Sequence, residues 1–175
     1  MLNDAISQTR TISYLFHPPL LDEAGFTSAA KWLVEGYGLR MGVDVAANLP
    51  HPAVRLPRSV EITLYRVLQE ALNNVHRHSH STRADVSLKT DGNWTTLRVK
   101  DYGRGIPKQT LEAFRASGTE AGVGLTGMTE RVREQGGQLE IRSDETGTEI
   151  IATIPLSANL EPATSTPAEP ILDMG

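Results

Sequence analysis

One stripe of apolar residues limits what this chain can become more than any other feature. Starting near Pro57, which suits the first turn of a helix, Val60, Leu64, Val67, Leu68, Ala71, Leu72 and Val75 recur at helical spacing for over four turns. A helix with one such face must bury it against a second layer. The residues C-terminal to it supply one. Stretches 84–90 and 94–101 alternate apolar with polar, with Val86, Leu88, Leu97 and Val99 inward, and Asp91-Gly92-Asn93 between them is hairpin-turn chemistry. Two further strands, 138–143 and 149–155, flank a turn at Thr146-Gly147. Helices gathered early and hairpins late predict an α+β fold: a two-layer sandwich with one sheet covered on one face.

The remaining segments fill in around that frame. Asp22 is placed to cap a helix reaching Gly38, with Ala29, Leu33 and Val34 inward. Residues 42–49 carry Val43 and Val45 like a short strand. Residues 102–124 read as a Gly-rich polar stretch, and the helix carrying Met128 and Val132 stops at Gly136-Gly137. Ile6, Ile12 and Leu15 fit a helix cut short by His17-Pro18-Pro19, as though the chain opened part-way through a longer protein. From Ser157 onward Pro162, Pro167 and Pro170 interrupt a polar run with no apolar face, which predicts a disordered tail.

Composition narrows the function. Seventeen Lys+Arg against 21 Asp+Glu give a net charge of −4, so there is no global field to gather nucleic acid. With no cysteine there is no disulfide framework, zinc ribbon or thiol nucleophile, which fits a reducing, cytoplasmic setting. No apolar run approaches a membrane span, and the first ten residues have no secretory pattern.

The chemistry-bearing residues fall in three places. On the long helix Glu70, Asn74 and His78 succeed one another at i, i+4, i+8 beside Arg77. Such a stripe can take a proton, ligate a metal or contact phosphate; it can equally be a solvated face. In DYGRGIP, Asp101 ends an apolar strand and Gly103 and Gly105 come directly after it. A buried carboxylate there can accept from an amino group, although Asp and Gly are also ordinary turn residues. In GVGLTGM, Gly122, Gly124 and Gly127 lead into a helix whose free N–H groups suit phosphate. It is neither a Walker A loop nor a complete dinucleotide motif. His76 and His80, four apart, lack a third ligand for zinc.

Taken in order, helix E-x-x-x-N, strand-DxGxG, GxGL-helix and a late Gly-Thr, this set resembles the Bergerat ATP-binding fold. That fold is shared by histidine kinases, type II topoisomerases, Hsp90 chaperones and MutL. The likeness is strongest to sensor histidine kinases of the NarL/DesK class, in LYRVLQEALNNVHRHS, VKDYGRGIP, GVGLTGMTERVREQGG and SDETGTEIIATIPL. The resemblance implies a mixed, mainly antiparallel sheet. It also implies the end of a dimerisation helix and connector over residues 1–20, and the ATP-binding domain over 21–156, leaving 157–175 as tail.

It implies ATP and Mg²⁺ as ligands, with Asn74 on Mg²⁺. Glu70 would be the general base toward an accepting imidazole, or a contact to Mg²⁺-bound water. Arg77 and His78 would lie near the phosphates, though His78 could equally cap the helix. Asp101 would bind the adenine amine, with Gly103 and Gly105 making room for the base and the Thr148 hydroxyl supporting that end. Gly122, Gly124 and Leu125 would close on the phosphates. Residues 106–121 would be a short lid, with Phe114 either over the base or stapled to the sheet. His17, with two prolines after it, does not suit a phosphoacceptor, and no acceptor motif occurs in the sequence. The implied partners are therefore a separate dimerisation/phosphoacceptor domain and, through it, a response regulator, with this chain a monomer or weak dimer. Two alternatives remain open: an ATPase module of the topoisomerase or chaperone kind, and a nucleotide-binding regulatory domain without transfer.

Overall fold

The computed structural model describes residues 19–117 and 123–156. The expectations for the N-terminal helix, His17, Gly122 and the Pro-rich tail lie outside the described residues.

Helix α1 (Pro19–Met41) is succeeded by strand β1 (Asp44–Asn48), helix α2 (Arg58–Asn74) and a π turn (Val75–Ser79). Strands β2 (Arg83–Asp91) and β3 (Trp94–Asp101) form a hairpin, then come α3 (Lys108–Ser117), α4 (Val123–Glu134) and a second hairpin, β4 (Gln138–Asp144) and β5 (Gly147–Pro155). The five strands lie in the order β1-β2-β3-β5-β4. β1 runs parallel to β2, and the other neighbours are antiparallel. The mixed, mainly antiparallel sandwich is as the sequence predicts.

Strand alternation assigns the two faces. Ala84, Val86 and Leu88 of β2, Leu97 and Val99 of β3, and Ile150, Ala152 and Ile154 of β5 are all buried beneath the helices. Val60, Leu64, Val67, Leu68, Ala71, Leu72 and Val75 meet them from α2, with Met128 and Val132 from α4 and Phe26, Ala29, Ala30 and Leu33 from α1. The opposite face is mostly polar, apart from the buried Ile151. Arg98 pairs across strands with Glu149 at 3.0 Å, and Arg142 holds Glu140 at 2.7 Å.

Several boundaries differ from the sequence reading. Asp22 does not cap α1; it lies in the first turn and pairs with Arg58 at 3.0 Å. The break comes at Gly25, whose φ of 76° interrupts the helix, and α1 runs to Met41 rather than Gly38. Pro57 is the N-cap of α2, at φ −52° and ψ 138°, one position outside the first turn. The second hairpin turns at Glu145-Thr146, with Gly147 already in β5. The polar stretch 102–124 contains helix α3, whose only large apolar residues, Leu111 and Phe114, are too few to mark a period. The stop at Gly136-Gly137 is as expected. Gly136 donates to Arg133 O and Gly137 to Val132 O, a Schellman closure with Gly136 at φ 71°.

Candidate functional site

Alternation along β3 puts Asp101 on the same face as Leu97 and Val99, so its carboxylate enters the space between sheet and α2 and is only 6% exposed. Two backbone donors hold it, Gly103 N–H at 2.9 Å and Thr148 N–H at 3.2 Å, both on Oδ1. Burial pushes this carboxyl above the usual range, and those two N–H groups partly offset the rise.

A cavity of about 480 Å³ opens between that strand end and the C-terminal half of α2. Glu70, Asn74, Arg77 and His78 line one wall, Asp101, Gly105 and Thr148 another, and Gly124 and Leu125 of α4 complete the ring. All the described residues proposed from sequence meet here except Gly103, whose N–H acts on Asp101 from behind the wall. The relation expected of His78 is changed. α2 gives way to the π turn after Asn74, so His78 reaches the cavity from a widened turn rather than from the next α turn. Its carbonyl accepts from Arg104 Nε at 2.9 Å. The same turn removes His76 and His80 from α-helical spacing, His80 being left-handed at φ 57°.

The glycines have a more local cause than room for a ligand. A Cβ on Gly103 would lie 2.0 Å from Ser79 O, the acceptor of Arg104 N–H. One on Gly105, at φ 70°, would lie 1.9 Å from Asp144 O. At Gly124 the clash would be with Glu70 Oε1, at 2.1 Å, because that carboxylate lies against the first turn of α4. Thr148 serves the pocket through its N–H, while its hydroxyl contacts Ser143 Oγ at 2.9 Å. Thr110 of α3 lines the cavity, whereas Phe114 packs partly buried against the core. Ser79, Arg104, Ile106 and Pro107 also line it. Arg104 stands within DYGRGIP, where its charge between two glycines is the signal that marks it.

The second support of the site comes from α1. Tyr37, 3% exposed, donates its hydroxyl to Leu72 O and accepts from His76 N–H. Burial pushes it up to about 12, so it remains a donor throughout the physiological range.

No three His, Cys, Asp or Glu among the described residues could hold a metal ion. Asn74 and Glu70, one turn apart, offer an amide oxygen and a carboxylate to the same cavity. That pair is too small to hold Mg²⁺ alone, and it fits a hard cation that arrives with phosphate oxygens and water.

An open mixed sheet under one helical layer, with a carboxylate set deep at one end of a cavity and an amide-carboxylate pair at the other, defines a nucleotide-binding sandwich. Residues 59–158 match the family of histidine kinase-, DNA gyrase B- and HSP90-like ATPases, and the chain belongs to that family. It is 34% identical over 160 residues to the sensor histidine kinase MctS of Rhizobium johnstonii, covering 90% of this chain and 33% of that one. It is 31% identical to the histidine-protein kinase/phosphatase DegS of Brevibacillus brevis, covering 90% and 39%. The chain thus spans a third to two fifths of the length of these curated relatives. In fold it is similar to the histidine kinase domain of the Erythrobacter litoralis EL346 blue-light activated histidine kinase. The TM-score is 0.67 at 21% identity, over 87% of this chain and 75% of that one.

Proposed function

We propose that this domain binds ATP with Mg²⁺ in the 480 Å³ cavity and passes the γ-phosphoryl group to a histidine on a dimerisation/phosphoacceptor domain. A response regulator then takes the phosphoryl group from that histidine. The observation that carries this reading is the pairing, within one cavity, of Asp101 at the sheet end with Glu70 and Asn74 on α2. The residues 21–156 form the binding unit, acting in the cytoplasm where ATP is available.

In this reading Asp101 accepts from the adenine amine. Its Oδ1 is already oriented by Gly103 and Thr148, so the acceptor is pre-organised rather than ordered on binding. Gly105 keeps the adenine end in shape, and Gly124 and Leu125, with Gly122 before them in sequence, would border the phosphates, a helix N-terminus being a favourable place for anions. Arg77 adds positive charge and donors from the π turn, and His78 a ring nitrogen. Asn74, together with the phosphates, would hold Mg²⁺, which would supply charge neutralisation. Phosphoryl transfer asks mainly for such positioning. As the acceptor imidazole nitrogen bonds to the γ-phosphorus, the bond to the β-γ bridging oxygen breaks and ADP leaves. Glu70 takes the imidazole proton.

The test combines binding with transfer. Incubated with γ-labelled ATP, Mg²⁺ and a separately supplied acceptor domain, the chain should label that domain, and Glu70→Gln should lower the rate while leaving ATP affinity within a few-fold. ATP binding without transfer to any acceptor domain offered would leave a nucleotide-binding regulatory domain as the better reading. Label lost to free phosphate at an appreciable rate would favour an ATPase instead.

A further inference from the structure

Arg77 and His78 reach the cavity because the ladder of α2 changes pitch, and that change has an identifiable cause. At Val75–Ser79 the hydrogen-bond spacing widens to the i→i+5 pattern of a π turn. Helix ladders open at proline, at Gly/Ser pairs, or where a group inserts between a carbonyl and its N–H partner. Between Arg58 and Ser79 there is neither proline nor glycine. There is an inserted group. The buried Tyr37 hydroxyl bonds Leu72 O on one side and His76 N–H on the other, the two groups that an unbroken α-helix would join to each other. One residue earlier, Val75 N–H is shared between Ala71 O and Leu72 O, so Leu72 O takes a bond from Val75 as well as from Tyr37.

Immediately beyond the open rung lies the site itself. Val75, Arg77, His78 and Ser79, four of the five residues of the π turn, line the cavity. The turn is also the surface on which the DYGRG loop docks. Ser79 O accepts Arg104 N–H at 2.9 Å, His78 O accepts Arg104 Nε at 2.9 Å, and Ser79 Oγ closes the turn on Val75 O at 2.6 Å. If the rung closed, the residues beyond it would move one place out of register. Each would rotate by roughly 100°, the angle per residue of an α-helix. Arg77 and His78 would then leave the cavity wall.

We infer that Tyr37 is a positioning residue of the nucleotide site, its hydroxyl holding the Leu72–His76 rung open and so setting the π turn that presents Arg77, His78 and Ser79. The functional half of this inference rests on the nucleotide-binding reading above; the structural half does not.

Tyr37→Phe keeps the ring and removes only the oxygen, so it is the variant to make. Leu33→Ala is its control, since it removes core volume from the same helix without touching the ladder. Crystal structures of the nucleotide-free variants should show His76 N–H bonded to Leu72 O in Tyr37→Phe and the π turn retained in Leu33→Ala. Calorimetric titration with ATP and Mg²⁺ should show affinity at least tenfold weaker in Tyr37→Phe and within twofold of the parent in Leu33→Ala, although the latter melts lower. A rung that stays open in Tyr37→Phe, or a Tyr37→Phe affinity within twofold of the parent, would overturn the inference. Should the parent itself bind no adenine nucleotide, the proposed function fails, and the rung geometry alone still decides the role of Tyr37.

Discussion

Asp101 carries two opposing pH dependences. Its carboxyl sits above its ordinary range because burial disfavours the charge. The fold therefore binds that proton more tightly than the unfolded chain does. The resulting contribution to stability is complete below the ordinary carboxylate range and is lost as pH rises through the raised value. Nucleotide binding runs the other way, because the adenine amine needs an acceptor. Across the same window the nucleotide-free domain should lose stability with rising pH while ATP affinity grows, a divergence that thermal melts with and without ATP would expose. Asp101→Asn should keep the fold, since an amide oxygen can still accept from Gly103 and Thr148, and should lose adenine selectivity over guanine in a titration. Asp101→Ala should abolish nucleotide binding outright. Gly105→Ala combines a left-handed φ with a backbone clash. Strain of that kind costs about 1–3 kcal/mol before the clash is counted, and urea denaturation should show at least that loss.

Among the elements, α2 does most to define the molecule. Leu68 is fully buried at the centre of its stripe. Leu68→Ala should destabilise by about 2–5 kcal/mol, the range for a deleted core leucine. Leu39, 90% exposed on α1, should change by less than about 0.5 kcal/mol on replacement with Ala. The contrast is readable in equilibrium unfolding. The same element shows where sequence reading succeeds and where it stops. The stripe of α2, the alternation in β2 and β3 and the Gly136-Gly137 stop are local patterns, and each is legible because the period or the turn chemistry is contained in the residues themselves. Asp101 is legible for the same reason, as the polar end of an alternating strand. The π turn is not. Nothing in VHRHS opens a helix; the cause is a tyrosine 35 residues before Leu72, whose hydroxyl meets that carbonyl only after folding. The same is true of Gly103 and Gly105, whose spacing suggests a ligand while the contacts that require them are Ser79 O and Asp144 O. Helix α3 is hidden in the sequence because two apolar residues do not make a period. Gly25 breaks α1 where a Cβ would lie 2.9 Å from both Arg55 Cδ and Glu61 Oε1. That is again a reason supplied by a distant segment.

For the molecule as a whole, ligand binding and folding are one equilibrium. A nucleotide at about 100 times its dissociation constant should add roughly 2.7 kcal/mol to stability. Adenine nucleotides with Mg²⁺ should accordingly raise the melting temperature, GTP should not, and Asn74→Ala should remove the Mg²⁺ dependence of the ATP shift more than the shift itself. No helix among the described residues is long and apolar enough to cross a membrane. The sheet has an order in space that differs from its order along the chain: β3 pairs with β5, and β4 lies outside them. In polymer terms, the chain between Asp101 and Gln138, including α3, α4 and part of the cavity wall, is a single excursion whose two ends are pinned by the β2–β3 and β4–β5 ladders. Closing such an excursion costs entropy only logarithmically in its length, roughly 0.6 kcal/mol per doubling. Chain length in this excursion can therefore vary at little entropic cost, whereas its sequence is held at Met128 and Val132 by the core and at Gly124 and Leu125 by the cavity.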